Sequence, residues 1–257
     1  MSLASKLISA GLDDRWKTSS LSLVATHTGF NGGGIPFFKP DGSKLFAHQD
    51  STNVTSQYAL STPWDVSSAS LINSPITGYA NGGPFFSSDG LRFYQDDGSG
   101  SNLDEYSLSV AWDLSSTRTL ENRVDLGIDS REFFFREDGS QLFIAYGFGT
   151  YSVNKYTLST PWDISTLSLD QTKAIVSDDL EGTWFKPDGS KMYTGTGGTG
   201  SSRFREYTLS TPWDVSTLSF NVGSEALDRG SFYIKPDGSR LYKFSNSSGD
   251  LQEYSMG

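Results

Sequence analysis

The stretch Phe38-Lys-Pro-Asp-Gly-Ser-Lys-Leu-Phe46 decides the fold, because the chain returns to it four more times. It recurs as Phe86-Ser-Ser-Asp-Gly-Leu-Arg-Phe-Tyr94 and as Phe135-Arg-Glu-Asp-Gly-Ser-Gln-Leu-Phe143. It comes back again as Phe185-Lys-Pro-Asp-Gly-Ser-Lys-Met-Tyr193 and Ile234-Lys-Pro-Asp-Gly-Ser-Arg-Leu-Tyr242. The turn aspartates Asp41, Asp89, Asp138, Asp188 and Asp237 are separated by steps of 48, 49, 50 and 49 residues. An Asp-Gly pair between two aromatic-rich runs is a strong hairpin signal, since both residues tolerate the positive φ of a tight turn. Two further series keep the same period: Tyr58, Tyr106, Tyr156, Tyr207 and Tyr254, and Trp16, Trp64, Trp112, Trp162 and Trp213. Three markers with one period describe a repeat architecture.

Working outward from the turn, each unit reads as four strands, A to D. Strands A and B flank the Asp-Gly. A polar loop such as Asp96-Asp-Gly-Ser-Gly-Ser-Asn102 separates B from C, and C runs like Phe204-Arg-Glu-Tyr-Thr-Leu209. The segment Ser210-Thr-Pro-Trp-Asp-Val-Ser216 then turns the chain, because Pro cannot donate to a ladder and Asp can bond its own backbone. Strand D, as in Thr217-Leu-Ser-Phe220, alternates polar and apolar residues, so one face is wet. Four-stranded units at this period are propeller blades. The expectation is an all-β, five-bladed β-propeller with four antiparallel strands per blade. The chain starts with a Trp turn and a D strand and ends with a C strand (Leu251–Met256), so the N-terminal strand should complete the last blade and leave no open edge. Residues 1–13 read as an N-terminal tail and 14–257 as the propeller.

Bulk properties exclude more than they assign. A net charge of −10 argues against nucleic acid, whose phosphates call for Lys/Arg stripes. Cysteine is absent, so disulfide and thiolate chemistry are excluded. No apolar run approaches a membrane span, so membrane insertion is not expected. The two histidines, His27 and His48, come without a Gly-x-Ser-x-Gly elbow. Gly195-Thr-Gly-Gly-Thr-Gly200 fits a dinucleotide pattern but lies in a B–C hairpin with no helix behind it. No cofactor or metal is expected.

Contact residues are sought on the face carrying the D–A and B–C loops, which diverge between copies while the A–B and C–D turns repeat. Just upstream of strand A lie Asp129, Arg131 and Glu132, then Asp179 and Glu181, then Asp228 and Arg229, an acidic cluster with arginines among it. Such carboxylates could ring the axis, or could serve as a paired acid and base for glycoside hydrolysis. Tyr79, Asn81, Tyr146, Phe148 and Tyr151 in the variable loops are the candidates for stacking and bonding a sugar. The Trp and Tyr series read as packing between blades. Leu3, Leu7, Ile8 and Leu12 would share one face of a short helix and are the candidates for docking on a partner.

The Phe-Lys-Pro-Asp-Gly-Ser-Lys-Leu turn resembles PD40 and TolB/YncE-like bacterial propeller repeats, over nearly the whole chain from Trp16. The signature Leu-Ser-Thr-Pro-Trp-Asp-Ile-Ser-Thr at Leu158–Thr166 and its Val form at Leu209–Thr217 resemble repeats of bacteriophage virion and tail proteins. In repeat number the chain is similar to five-bladed tachylectin-2 lectins. These resemblances imply a non-enzymatic structural or recognition module. Its expected place is the virion, or else outside the cell or on a bacterial surface, with virion or cell-surface proteins and glycans as partners. A carbohydrate-binding lectin is one alternative, and a glycoside-processing enzyme with axial carboxylates is another.

Overall fold

A computed structural model describes residues 15–18, 21–30, 34–49, 52–77, 83–97, 101–128, 130–146, 151–175, 180–196, 203–221, 227, 231–245 and 248–257; at 74–77, 130–131, 181, 196 and 203 only the backbone is described. Five four-stranded antiparallel sheets account for it. The N-terminal strand is β1 (Ser22–His27). Blade 1 holds β2 (Pro36–Phe38), β3 (Lys44–Gln49), β4 (Val54–Leu60) and β5 (Ala69–Thr77). Blade 2 holds β6 (Phe85–Phe86), β7 (Arg92–Asp96), β8 (Asn102–Leu108) and β9 (Arg118–Asp125). In blade 3 these are β10 (Ser130–Phe135), β11 (Gln141–Tyr146), β12 (Tyr151–Leu158) and β13 (Leu167–Ile175). Blade 4 is β14 (Leu180–Phe185), β15 (Lys191–Thr196), β16 (Arg203–Leu209) and β17 (Leu218–Phe220). Blade 5 has β18 (Phe232–Ile234), β19 (Arg240–Phe244) and β20 (Leu251–Ser255), and its fourth strand is β1, in the order β1-β20-β19-β18.

The ring therefore closes by pairing the first strand with the last, from Ser22 opposite Ser255 to His27 opposite Leu251. Within that sheet, Glu253 lies 3.2 Å from His27 Nε2 and 2.9 Å from Arg240 Nε. Closure removes the unpaired edge that blade 5 would otherwise present. Among the described residues, no helix is long and apolar enough to cross a membrane.

The repeated residues each solve one packing problem. The Trp of each C–D turn adopts a left-handed backbone, with φ of 67° at Trp64 and 60° at Trp112. Its N–H donates to the carbonyl of the turn glycine in the same blade, as from Trp64 to Gly42 at 3.0 Å. The indole then lies directly on that glycine: a Cβ on Gly42 would fall 2.4 Å from the Trp64 ring. Only glycine fits there, on grounds of both φ and space. In blade 5 the covering ring comes from the N-terminal segment, with Trp16 lying 2.4 Å from a Cβ built on Gly238. Blades are joined by strand-B aromatics packing on strand A of the next blade: Phe46 on Phe86 at 4.5 Å, Phe143 on Phe185 at 4.4 Å and Tyr242 on Phe38 at 4.6 Å. Buried strand-C side chains add hydrogen bonds across the same seams. Glu105 accepts the Ile164 N–H at 2.9 Å and Gln57 accepts the Leu114 N–H at 3.3 Å.

Candidate functional site

Strand A is the innermost strand of every blade, so its residues meet at the axis. The first residue of each strand-A aromatic pair supplies one member of a closed circle: Phe37, Phe85, Phe134, Trp184 and Tyr233. Neighbouring ring centroids are 5.2 Å (Phe37–Phe85), 5.9 Å (Phe85–Phe134), 5.1 Å (Phe134–Trp184), 4.6 Å (Trp184–Tyr233) and 5.6 Å (Tyr233–Phe37) apart. Interplanar angles between 57° and 79° put edges against faces, the arrangement favoured by the aromatic quadrupole. Five large rings fill the axis, so the centre is a plug and not a through-channel at this level.

The two sides of the plug differ. On the side of the A–B turns a cavity of about 470 Å³ opens above the five rings. Its walls include Trp112, Trp162 and Trp213, and its rim is formed by the residues preceding the turn aspartates: Pro40, Ser88, Glu137, Pro187 and Pro236. Blades 1, 4 and 5 place proline there. Blades 2 and 3 place a hydroxyl and a carboxylate. Glu137 is exposed and makes no hydrogen bond or ion pair with a described residue, and among the described residues it is the one charged side chain lining the cavity.

On the opposite side the described residues pack closely around the axis. The residues two before each ring member are Ile35, Gly83, Glu132, Gly182 and Ser231. Glu132 is only 7% exposed. Its Oε2 accepts the Thr183 N–H at 2.9 Å, and the Ser231 hydroxyl donates to its Oε1. The glycines leave room for their larger neighbours. A Cβ on Gly182 would sit 2.6 Å from the Phe232 ring, and one on Gly83 would sit 2.2 Å from Ile35 Cβ. What remains is a space of about 20 Å³, water-sized at most.

Cations around the cup are already paired. The residue after each aromatic pair reaches back to the turn aspartate: Lys39 to Asp41 at 2.6 Å, Arg136 to Asp138 at 3.3 Å, Lys186 to Asp188 at 3.0 Å and Lys235 to Asp237 at 3.1 Å. Blade 2 substitutes Ser87, whose hydroxyl donates to Asp89 at 2.6 Å. Burial alone would raise the Asp41 carboxyl, but hydrogen bonds from Lys39 and Ser43 hold it down at about 2. Asp89, Asp138, Asp188 and Asp237 are likewise held below the usual range, the opposing effect of burial being outweighed by their turn hydrogen bonds. These five stay ionised and bound to their own turns. Burial pushes the Tyr233 phenol far above its ordinary value, and its hydroxyl donates to the Phe38 carbonyl at 3.3 Å. It therefore stays neutral and is not a base. Among the described residues lining the cup, Glu137 is the one carboxylate, and Ser88 on the adjoining blade carries a hydroxyl.

The expected contact residues are redistributed accordingly. Glu132 lies on the side opposite the cup, where the Thr183 N–H and the Ser231 hydroxyl donate to it. Tyr146 and Tyr151 are half-buried at opposite ends of the β11–β12 hairpin loop, away from the cup. Tyr79, Asn81, Asp129, Phe148, Asp179, Asp228 and Arg229 lie outside the described residues, as do Leu3, Leu7, Ile8 and Leu12. At Arg131 and Glu181 only the backbone is described. The described axial cavity opens on the face of the repeated turns, opposite to the divergent loops. Ser88 and Glu137 went unnoticed because the turn was read as uniform; the break in the proline column of the repeat is the signal that marks them. The tryptophans do pack between blades, as expected, Trp162 on Tyr94 and Trp213 on Phe143; they also cover the turn glycines, and three of them form the wall of the cup.

No protein-family model matches the sequence, and no curated protein does. The fold is similar to solved structures at low identity. One is a putative 6-phosphogluconolactonase from Bacteroides fragilis, at 14% identity and TM-score 0.54, covering 91% of this chain and 90% of that one. Another is a putative 6-phosphogluconolactonase from Bacteroides uniformis, at 18% identity and TM-score 0.50, covering 84% of this chain and 64% of that one. A third is the periplasmic gluconolactonase of Pseudomonas aeruginosa, at 15% identity and TM-score 0.52, covering 86% and 65%. The chain thus spans somewhat under two thirds of the length of two of these three proteins. Likeness at this identity establishes the propeller fold. The expectation of a non-enzymatic phage virion component is corrected by the names these neighbours carry. The neighbours named here carry lactonase names, and no family match supports PD40, TolB or phage-type repeats.

Proposed function

We propose that this chain is a sugar-lactone hydrolase that seats the lactone ring in the axial aromatic cup, with Glu137 as the water-activating carboxylate. The observation that carries this reading is the asymmetry of the rim: one carboxylate without a partner among the described residues, on a cavity otherwise lined by aromatics, prolines and two serines. Aromatic faces suit the apolar C–H face of a sugar ring, and the volume of about 470 Å³ is ample for one. The lactonase names among proteins of similar fold support the same substrate class.

The chemistry needs few groups. A lactone is already an activated ester, so its hydrolysis requires one base and a donor for the oxyanion. Cleaving a glycosidic bond commonly takes two placed carboxylates, and among the described residues the cup has one. The Glu137 carboxylate takes a proton from water as the water oxygen attacks the ring carbonyl. Ser88 donates to the developing oxyanion. The tetrahedral intermediate collapses with rupture of the ring C–O bond, and the departing ring oxygen takes the proton back, leaving an open-chain hydroxy acid.

The test is a pH-stat assay of aldonolactones, corrected for spontaneous opening. The native chain should exceed the spontaneous rate, and Glu137→Gln should lower kcat by about 100-fold or more. A native rate equal to background, or a Glu137→Gln variant as fast as the native chain, would overturn the reading.

A further inference from the structure

We infer that the ring taken by the cup is uncharged, and that a phosphorylated sugar is discriminated against; this rests on the reading of the cup as a sugar-ring site. Recognition of a phosphate needs a free cation or a cluster of backbone N–H groups aimed at it. Among the described residues no lysine or arginine lines the cup, and the one charged side chain that does is the carboxylate of Glu137. The cations next to the strand-A aromatic pairs, Lys39, Arg136, Lys186 and Lys235, are each tied to a turn aspartate of their own blade. Two are also held over indole rings, Arg136 at 5.3 Å from the Trp213 centroid and Lys235 at 5.3 Å from that of Trp64.

Freeing one of these cations for a phosphate would break its ion pair and leave the turn aspartate to its serine hydrogen bonds alone. The turn aspartates and Glu137 also outnumber the rim cations, so the mouth is net negative. A dianionic group near an aromatic wall and a lone carboxylate is repelled and loses hydration without a partner to replace it. Some of the similar folds carry names for a phosphorylated lactone and one for an unphosphorylated lactone. The charge pattern of this cup fits the second chemistry.

Binding separates this inference from the hydrolytic reading. Tryptophan fluorescence, sensitive to Trp112, Trp162, Trp184 and Trp213, is titrated with glucono-lactam, a stable lactone mimic, and with its 6-phosphate. The uncharged compound should bind at least about tenfold more tightly at low salt, and the gap should narrow as salt screens the repulsion. Ser88→Lys, which adds a free cation to the rim, should selectively tighten the phosphorylated compound. Equal or tighter binding of the phosphorylated compound by the native chain would overturn the inference, and so would binding of neither. If the uncharged ring is preferred but no lactone is turned over, the selectivity stands and the hydrolase reading falls.

Discussion

Two glutamates five residues apart in blade 3 have opposite fates. Glu132 lies below the aromatic circle, buried and saturated by the Thr183 N–H and the Ser231 hydroxyl. Glu137 lies above it, exposed at the rim and without a described partner. Both are acidic residues near the axis of the same blade. What separates them is a plane of five rings. Burial on one side makes a carboxylate a structural acceptor, and solvent on the other leaves it available for chemistry. A carboxylate near a propeller axis is therefore evidence of function only once its side of the plug is known.

The largest effect should come from breaking the plane itself. Trp184 touches Phe134 at 5.1 Å and Tyr233 at 4.6 Å, and it lines both the cup and the small space beneath it. Trp184→Ala should cost about 3–5 kcal/mol of stability by denaturant unfolding. It should also abolish sugar binding, because the floor of the cup goes with it. Stability near that of the native chain would mean the circle is not a shared core for both sides.

The two glutamates should then separate by readout. Glu132→Ala strands the Thr183 N–H and the Ser231 hydroxyl and should destabilise the fold by about 2–3 kcal/mol. The folded fraction should keep its kcat. Glu137→Gln should leave stability within about 0.5 kcal/mol, as for an exposed residue with no partner, while lowering kcat as described above. An exchange of these outcomes, with activity lost at Glu132 and stability lost at Glu137, would reverse the assignment of the two sides.

The fold was legible because repetition multiplies weak signals. One Asp-Gly pair is a turn; five at one period, with a tryptophan at a fixed offset from each, are five blades. The closing pair was legible for a related reason, since Trp16 without a preceding turn and Asp237 without a following Trp complete each other across the ends of the chain. The site was legible only in part. The divergence between copies points to Asp129 and Glu132, Asp179 and Glu181, and Asp228; of these side chains only that of Glu132 is described, and it stands within β10. Which end of a two- to six-residue strand faces open space depends on how five strands converge, and on whether Ile35 and Phe232 fill the room that Gly83 and Gly182 leave. No single repeat contains that information. The departure from Lys-Pro-Asp-Gly to Arg-Glu-Asp-Gly in blade 3 was visible, but a conserved turn draws attention to its Asp and Gly and away from the position between.

The smallest effect concerns acid, and it too divides the molecule at the plug. The ionised turn aspartates ring the cup side. Asp41 is held at about 2, and Asp89, Asp138, Asp188 and Asp237 are lowered from the ordinary value. A carboxyl depressed in the folded state stabilises the fold fully above its unfolded value, near 3.9, and loses that contribution as pH falls through the folded value. The thermal midpoint should therefore be insensitive to these groups above about pH 5 and should fall between pH 4 and 2. Each exposed turn contributes modestly, and five act together. Hydrogen exchange should show the loss beginning at the cup side. Protection of the Ser140 N–H, which donates to Asp138 at 3.0 Å, should drop before that of the Thr183 N–H beneath the plug. Replacing Asp41, Asp188 and Asp237 by Asn removes three titrating groups while keeping an acceptor in each turn, so the acid slope should become shallower. An unchanged slope would move the acid sensitivity away from the turns and would deny the cup side its separate electrostatic identity.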